Sequence, residues 1–424
     1  MIYKRKGWYM VVNGLLPADF LLPIGVDMTK WSVIACDQFT SEPDYWARVE
    51  KTVGKAPSTL HAILPEAYLD KPDITKRIEG LQASMLEYLN MDLFRNHHGY
   101  VYVERNLCNG VIRRGIVGMI DLEDYSFESN SDSPIRATEQ TVLERIPPRL
   151  NVRKNSPLEF SHVIMLFDDP NDTVISPIET RKDSFQLLYD FELMENGGHI
   201  TGRLLDSKEE QRVHEAFYSL TVDKPMVFAV GDGNHSLAAA KSNYELIKKT
   251  MPACEYLVHP ARYALVEAVN LYDPAMEFEA IHRIVFDVDT DDLLKSMKKY
   301  FSKTADNDTV ESHINSFTIE YITGGNTGTI AVKTDKFSLP VAALQHFLDN
   351  YLSSSGEKID YIHGEESLRS LAADPRSIGF LLPSIDKSTL FTDVMQNGAF
   401  PRKTFSCGSA EDKRYYLECR KIIL

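Results

Sequence analysis

The chain has 424 residues, 43% of them hydrophobic, and a formal net charge of −15 at pH 7. This composition is typical of a globular protein with a large core. The acidic balance argues against sequence-independent binding of nucleic acid, which needs a basic surface. No stretch reaches the ~18 consecutive apolar residues that cross a membrane, so we expect no membrane span.

The five cysteines are scattered along the chain and include no Cys-x-x-Cys pair. This spacing disfavours a zinc site or a disulfide framework and fits a reducing compartment. The apolar residues near the start are interrupted by Asn13, Gly14, Pro17 and Asp19, a pattern unlike a signal peptide. We therefore expect a cytoplasmic protein.

The first candidate for a ligand-facing loop follows Trp31–Asp37, a stretch whose apolar residues predict a strand. Asp37 and Glu42 lie where the chain leaves this strand. Their carboxylates either face a ligand or serve as helix caps and solvated charges, and both alternatives stay open.

Helix and strand patterns then alternate along the chain. Apolar residues at helical spacing predict a helix over Asp73–Leu93, and alternating stretches on either side of Cys108–Gly110 predict a hairpin. The sequence thus predicts a mixed α/β fold. Because the composition becomes more charged from Asp287, we divide the chain into a main domain, residues 1–286, and a C-terminal α+β subdomain, residues 287–424. A polar linker is expected over residues 305–311.

Arg136 and Glu139 lie in Pro134–Arg149, the next segment with chemical interest. An arginine can hold phosphate through two parallel hydrogen bonds, and a glutamate can accept a proton from a nucleophile. The alternative is a surface Arg–Glu pair, worth at most about 1 kcal/mol.

The stretch Met226–Lys249 gives the strongest functional signal. Met226–Val230 predicts a buried strand, residues 231–236 form a polar loop with two glycines, and the residues from Leu237 onward have high helix propensity. Asn234 or Ser236 is expected to be the N-cap of this helix.

A strand, a glycine-bearing loop and a helix in this order predict an anion site. The first N–H groups of the helix lack intrahelical partners, and Gly231 and Gly233 let a ligand approach the backbone. Asp232 supplies an acid or a metal ligand at this place, and His235 supplies a proton donor. An ordinary strand-to-helix turn with a capping Asn or Ser has the same pattern.

Two further groups of polar residues lie nearer the C-terminus. His282 can exchange a proton near neutral pH, and Arg283 can bind phosphate with its planar fork. Arg402 and Lys403 form a positive pair in an acidic chain. A capping histidine and solvated surface charges are the alternatives for these residues.

The central loop resembles a known family. Its sequence GDGNHSLAAAK is similar to the Asp-Gly-His-His-Arg-x-x-Ala-Ala signature of the domain-of-unknown-function 1015 family. Asp232, Gly233 and His235 match this signature, whereas Asn234 and Ser236 replace a histidine and an arginine. A similar Asp-Gly-His-His-Arg sequence occurs in ParB/sulfiredoxin-like proteins, among them archaeal free-serine kinases.

Other segments resemble the same family. Cys36–Asp70 is similar to the beginning of one of its branches, and the His282–Arg283 pair has a counterpart there. Matches to an Arg-His-Glu-x-Thr segment and to the family's C-terminal ending are carried by Arg136, Glu139, Thr141, Lys403 and Thr404.

The resemblance implies a ParB/sulfiredoxin-like core with added N-terminal elements. It also implies an enzyme that uses a nucleotide and Mg²⁺ for phosphoryl transfer to a small hydroxyl metabolite such as serine. Asp232, His235 and Glu139 are the expected catalytic residues, with Asp232 also the expected metal ligand. The residues expected to hold the phosphate or nucleotide are Gly231, Gly233, Asn234, Ser236, Arg136, His282, Arg283, Lys403 and Thr404.

The arginine that Ser236 replaces would bind phosphate, so the sequence leaves open whether the chain is an enzyme. The alternatives are a non-catalytic nucleotide-binding regulator and a scaffold with a degenerate site. The expected partner is a nucleotide or another small-molecule ligand, and a homo-oligomer is compatible with the sequence.

Overall fold

The computed structural model describes residues 2–5, 8–11, 14–40, 42–69, 71–302, 315–353 and 358–424. The polar linker expected over 305–311 lies outside these residues. The chain divides into two compact units. Unit 1 comprises residues 1–277 and 407–424, and unit 2 comprises residues 278–406.

Helices and strands are interspersed through the described chain, which confirms the predicted mixed α/β fold. The helices are α1 (Met28–Trp31), α2 (Pro43–Val53), α3 (Ile74–Asn90), α4 (Ile146–Arg153), α5 (Ile175–Glu179), α6 (Ser207–Thr221), α7 (Asn234–Thr250), α8 (Ala253–Tyr256), α9 (Thr290–Ser302), α10 (Pro340–Leu352), α11 (Glu365–Leu371) and α12 (Leu390–Asn397). Of these described helices, none is long and apolar enough to cross a membrane.

The strands are numbered in chain order. They are β1 (Ile2–Arg5), β2 (Trp8–Val11), β3 (Ala18–Pro23), β4 (Val33–Ile34), β5 (Phe94–Gly99), β6 (Val101–Asn106), β7 (Ile112–Asp121), β8 (Tyr125–Ser126), β9 (Ile135–Ala137), β10 (Leu158–Phe160), β11 (Ile164–Phe167), β12 (Gln186–Glu192), β13 (His199–Leu204), β14 (Phe228–Asp232), β15 (Tyr263–Asn270), β16 (Phe278–Phe286), β17 (Asn315–Thr323), β18 (Asn326–Thr334), β19 (Lys358–His363), β20 (Ile378–Leu381), β21 (Phe405–Cys407), β22 (Tyr415–Tyr416) and β23 (Cys419–Lys421).

Within the described residues, unit 1 is built on a nine-stranded sheet with the order β12-β13-β6-β7-β15-β11-β14-β9-β8. The β6–β7 pair is the hairpin that the sequence predicts. β14, which leads into the central loop, pairs parallel with β9 and antiparallel with β11. The loop therefore follows a strand with a neighbour on each side.

The core of unit 1 lies on both faces of this sheet. β15 is buried along its whole length, and its successive side chains point to opposite faces. Ala264 and Val266 belong to one hydrophobic cluster together with Leu237 and Tyr244 of α7, whereas Leu265 belongs to the other. α7 is thus anchored to the sheet by its apolar face.

The C-terminal residues return to unit 1. β23 lies between β10 and β3 in a four-stranded sheet, and β22 pairs with β4. At the other boundary, β16 belongs to unit 2 because it pairs with β19 and β20. The units therefore differ from the predicted division at residue 286, since long-range strand pairing rather than local composition sets them.

Unit 2 contains an antiparallel sheet with the strand order β18-β17-β20-β16-β19. The β17–β18 hairpin turns at Gly324 and Gly325, as the sequence predicts. α9 and α10 contribute Met297 and Leu344 to a cluster that also includes Ile319 of the sheet. This unit has its own hydrophobic core.

One local prediction near the N-terminus is wrong in part. The strand predicted over Trp31–Asp37 is limited to β4, and α1 ends at Trp31. The Asp27 carboxylate accepts hydrogen bonds from the backbone N–H groups of Thr29 and Lys30. This cap favours a helical turn where the apolar pattern alone favours a strand.

Candidate functional site

The connection between β14 and α7 consists of Gly233 alone. Gly233 is the N-cap of α7 and has a φ of +81°, in the left-handed region. A Cβ atom at this position would lie 3.0 Å from Val163 Cγ2, so glycine is favoured by the backbone conformation and a larger residue would require Val163 to shift. The prediction of a cap from Asn234 or Ser236 is wrong, because both residues lie inside the first turn of α7.

Two side-chain oxygen atoms flank this glycine. Asp232 Oδ2 and Asn234 Oδ1 are buried, and neither accepts a hydrogen bond from the described part of the chain. A buried acceptor without a donor costs about 1–3 kcal/mol. A bound cation, a water molecule or a ligand donor would satisfy these atoms. The pair therefore indicates a place built for a ligand.

Lys413 brings a positive charge to the same place. Its Nζ lies 3.7 Å from Asp232 Oδ2 and donates a hydrogen bond to the carbonyl oxygen of Cys407 at 3.1 Å. Burial lowers the pKa of Lys413, but the carboxylates of Asp232 and Asp37 act in the opposite direction and the pKa is raised overall. Lys413 is therefore a buried cation at neutral pH.

Two buried arginines hold the backbone that carries Lys413. The Arg105 guanidinium donates to the carbonyl oxygens of Glu411 at 2.6 Å, of Asp412 at 3.1 Å and of Lys413. Arg113 Nη1 donates to the carbonyl oxygen of Asp412 at 2.7 Å. Because these donors converge on three consecutive peptide groups, the position of the Lys413 side chain is well defined.

Lys413 was not predicted from the sequence as a site residue, whereas Lys403 was. Lys403 is exposed and belongs to unit 2. Lys413 is brought to the β14–α7 junction by the C-terminal segment of unit 1, far away in sequence. Lys413 is only 6% exposed, which is unusual for a lysine. The sequence around Lys413 contains no local pattern that predicts this burial.

A network of hydrogen-bonded side chains contacts Ser236 in the first turn of α7. His162 is 2% exposed, and its Nε2 lies 3.4 Å from Ser236 Oγ. Its Nδ1 lies 2.7 Å from the Tyr416 hydroxyl oxygen, which also accepts a hydrogen bond from the backbone N–H of Cys36. Burial raises the pKa of Tyr416 well above its ordinary value, so this hydroxyl stays neutral.

Asp37 lies next to this network of hydrogen-bonded side chains. Its Oδ1 is 3.9 Å from His162 Nε2, and its carboxylate contributes to the raised pKa of Lys413. The sequence left open whether Asp37 faces a ligand or serves as a helix cap or solvated charge. The structure brings it to the same side of unit 1 as the central loop, whereas His162 was not recognised from the sequence.

Two cavities in unit 1 adjoin the first turn of α7. The larger has a volume of about 110 Å³ and is lined by Ser236 and Tyr416 and by the ion pairs Arg149–Glu66 and Arg153–Glu159. The smaller has a volume of about 60 Å³ and is lined by Ser236, Tyr416 and His162 among others. Ser236 therefore lines both cavities.

Glu139 and His235 lie close to the central loop. Burial raises the pKa of Cys407 to about 12, Lys413 opposes this shift, and the carboxylates of Asp232 and Glu139 add to it. Glu139 is thus within electrostatic reach of the groups around Lys413. His235 Nε2 accepts a hydrogen bond from the backbone N–H of Val142 at 3.2 Å, which leaves the ring proton of the neutral imidazole on Nδ1.

Arg136 is engaged with the backbone. It is 6% exposed, and its guanidinium donates to the carbonyl oxygens of Ser133 at 2.8 Å and of Pro225 at 3.4 Å. These bonds tie β9 to the segment before β14. The role of Arg136 as a phosphate ligand stays a prediction.

The remaining expected residues belong to unit 2. His282 Nδ1 accepts a hydrogen bond from the backbone N–H of Leu382 at 3.2 Å. Arg283 is fully buried and donates to the Gln345 side chain and to backbone carbonyl oxygens, including those of Arg402 and Lys403. These contacts fix the turn in which Lys403 adopts a φ of +56°.

Thr404 completes that turn, because its hydroxyl donates to the carbonyl oxygen of Pro401 at 2.6 Å. Phosphate binding by His282, Arg283, Lys403 and Thr404 stays a prediction. Over the described ranges, no group of three or more His, Cys, Asp or Glu side chains has the geometry to hold a metal ion. A magnesium ligand role for Asp232 likewise stays a prediction.

Comparison with known proteins gives weak structural likenesses. The chain is similar to a free serine kinase in complex with AMP, with 9% sequence identity, a TM-score of 0.39 and coverage of 73% of this chain and 92% of that chain. It is also similar to a C-terminally truncated SbnI from Staphylococcus aureus, with 7% identity, a TM-score of 0.35 and coverage of 71% and 82%.

A conserved hypothetical protein from Pyrococcus furiosus is similar at 10% identity, with a TM-score of 0.36 and coverage of 72% and 95%. No curated protein matches the chain. A family described as "Protein of unknown function (DUF1015)" matches residues 24–351, which is well over half of the chain. The chain therefore belongs to the DUF1015 family.

Proposed function

We propose that unit 1 binds the phosphate end of a nucleotide at the β14–α7 junction and transfers a phosphoryl group to a small hydroxyl metabolite such as serine. A ParB/sulfiredoxin-like core is part of this proposal. The observation that carries it is the pair formed by buried Lys413 and Asp232 beside the N-terminus of α7, where Asp232 Oδ2 lacks a hydrogen-bond donor from the described residues.

The charges at the junction suit an anionic ligand. Lys413 supplies a cation held in a buried place, and the dipole of the 17-residue helix α7 adds partial positive charge at its N-terminus. In a site with little water these fixed charges stabilise phosphate oxygens more strongly than they would in bulk water. The acidic charge of the whole chain does not oppose this local arrangement.

The acidic groups suit the transfer step. Asp232, whose Oδ2 atom has no hydrogen-bond donor among the described residues, would accept the proton of the attacking hydroxyl group or hold Mg²⁺. Oxygen atoms are the ligands that Mg²⁺ prefers, and Asn234 Oδ1 offers a second one. When bound, Mg²⁺ would neutralise charge on the phosphate oxygens. His235 and Glu139 lie near enough to the loop to support the same reaction.

Thermal-shift and calorimetric titration with ATP, ADP and AMP, each with and without Mg²⁺, tests the binding step. A ligand that binds only the folded protein raises its stability by mass action. Phosphorylated products are then sought by mass spectrometry after incubation with nucleotide and a panel of hydroxyl metabolites that includes serine. Binding and consumption of nucleotide support the proposal.

The two alternatives give different results in the same experiment. A nucleotide-binding regulator raises the melting temperature with nucleotide but consumes none of it across the panel. A scaffold with a degenerate site shows neither binding nor consumption, and that result would overturn the proposal.

A further inference from the structure

Ser236 stands where the resembled signature has an arginine, and its surroundings suit a different chemistry from phosphate binding. Its hydroxyl oxygen lies 3.4 Å from Nε2 of His162, which is almost completely buried. Ser236 lines two cavities beside the first turn of α7. A hydroxyl next to an imidazole, on a residue that lines a cavity, is the arrangement of an activated nucleophile.

The second ring nitrogen of His162 is held in place. Nδ1 lies 2.7 Å from the neutral hydroxyl of Tyr416, whose oxygen atom accepts a hydrogen bond from Nδ1–H in the tautomer with the proton on Nδ1. In that tautomer, Nε2 has a free lone pair directed at Ser236. The imidazole is thus oriented as a general base by a third residue.

Asp37 can stabilise the positive charge that proton transfer creates on His162. Its Oδ1 lies 3.9 Å from His162 Nε2, so an imidazolium at this position has a carboxylate beside it. The cation at Lys413 and the N-terminus of α7 lie in the same region of unit 1. A phosphate held there is adjacent to the first turn that carries Ser236.

From these contacts we propose that Ser236 is a phosphorylation site of the protein itself, which accepts the terminal phosphoryl group of a bound nucleoside di- or triphosphate. This inference rests on the proposed nucleotide binding. The Ser236 Oγ–P bond forms, and the phosphoanhydride P–O bond of the nucleotide breaks. The electron pair leaves with the shortened nucleotide, and the Oγ proton passes to His162 Nε2. The product is a phosphoserine at the helix N-terminus, where its charge is favoured.

The test uses the full chain, Mg²⁺ and ATP or ADP labelled in the terminal phosphate. Intact-mass analysis and acid-stable label measure the modification, and peptide mapping locates it. We expect one phosphoryl group on Ser236, none in Ser236→Ala, and labelling in Ser236→Thr, which keeps the hydroxyl. His162→Asn should label about 10²-fold more slowly, the usual scale for one positioned base.

Ser242→Ala is the matched control. Ser242 lies on the same helix, and its hydroxyl donates to the carbonyl oxygen of Ala238 at 2.8 Å. Its removal should leave labelling unchanged. Nucleotide binding without any label, or a label on another residue such as His162, would overturn the assignment of Ser236 but not the proposed function. Absence of nucleotide binding by thermal shift would overturn both.

Discussion

Lys413 and Asp232 come from distant parts of the sequence, yet their charged groups lie 3.7 Å apart beside the N-terminus of α7. Each charge lowers the cost of burying the other, and either one alone would be more costly to bury. The carboxylate nevertheless keeps one oxygen atom without a hydrogen-bond donor in the described chain. The ion pair balances the two charges, and the Asp232 oxygen atom without a donor suits the pair to binding a ligand.

Replacement of the lysine tests whether its charge serves the ligand. We expect Lys413→Met to weaken nucleotide binding by about 10- to 100-fold, because a charge-assisted hydrogen bond contributes about 1.5–3 kcal/mol. Isothermal titration calorimetry measures the change. Lys421→Met is the control, since Lys421 is an exposed residue of the same C-terminal segment. Equal affinity in the two variants would contradict a ligand-binding role for Lys413.

The pKa of Lys413 sets the pH range over which that charge is available. Its pKa is raised above the ordinary 10.5, so the folded state holds this proton more tightly than the unfolded state does. The resulting contribution to stability is complete below the ordinary pKa and is lost as the pH rises through the raised value. Deprotonation of Lys413 should therefore not weaken nucleotide binding below about pH 10.

Substitution of the glycine at the β14–α7 junction, compared with a control glycine, separates the effect of backbone strain on Tm from the effect of close packing. Gly233→Ala forces an L-residue into the left-handed region, at about 1–2 kcal/mol, and places a methyl group against Val163. Gly110→Ala is the control, since Gly110 has a φ of +80° but open space around its Cβ position. We expect the Tm to fall further in Gly233→Ala. Equal Tm values would show that the contact with Val163 is relieved without cost.

The strand and the helix around Asp232 were predictable because their signals are local, whereas the loop predicted over residues 231–236 is reduced to Gly233. An apolar run, two glycines and a stretch of alanines specify β14 and α7 within about 25 residues. The identity of the N-cap was not predictable from preference alone. Asn and Ser are the commoner caps, but the left-handed φ of this position and its close approach to Val163 favour glycine.

The roles of Lys413 and His162 were not predictable, because no local signal in the sequence indicates them. Lys413 reaches the site because β22 and β23 pair with strands from the first 160 residues of the chain, and such pairing leaves no local periodicity to read. The same pairing returns residues 407–424 to unit 1. The shift in composition therefore predicted a domain boundary at residue 286, which differs from the boundaries set by long-range strand pairing.

His282 should make the stability of unit 2 sensitive to acid. Burial lowers the pKa of His282 below its ordinary 6.5, although the Glu365 carboxylate opposes this shift, and Arg283 adds a smaller lowering contribution. Below about pH 6.5 the unfolded chain binds this proton more readily than the folded one, so stability falls as the pH falls. We expect His282→Asn to reduce this loss, because the asparagine oxygen can still accept the hydrogen bond from Leu382.

Thermal melting between about pH 8 and about pH 5 measures this effect. The wild type is the reference for the slope of Tm against pH. The slope should be smaller in His282→Asn than in the wild type. Identical slopes in the two proteins would contradict the assignment to His282.

Asp232→Asn distinguishes an enzyme from a binding module. The substitution keeps the size of the side chain and removes its charge. If Asp232 accepts a proton or holds Mg²⁺, phosphoryl transfer should fall by about 10²-fold or more. The melting temperature should also fall, because Lys413 loses the carboxylate that lies 3.7 Å from its ammonium group.

A double variant separates these two effects. In Asp232→Asn with Lys413→Met, neither charge is left alone in a buried place, so the double variant should recover part of the stability that each single variant loses. Activity should not recover with it, because the carboxylate is still missing. Asp206→Asn is the matched control, since Asp206 caps α6 through its Oδ1 atom and Asn caps about equally well. If Asp232→Asn transfers phosphoryl groups as fast as the wild type while nucleotide still binds, Asp232 acts only as the counter-charge of Lys413.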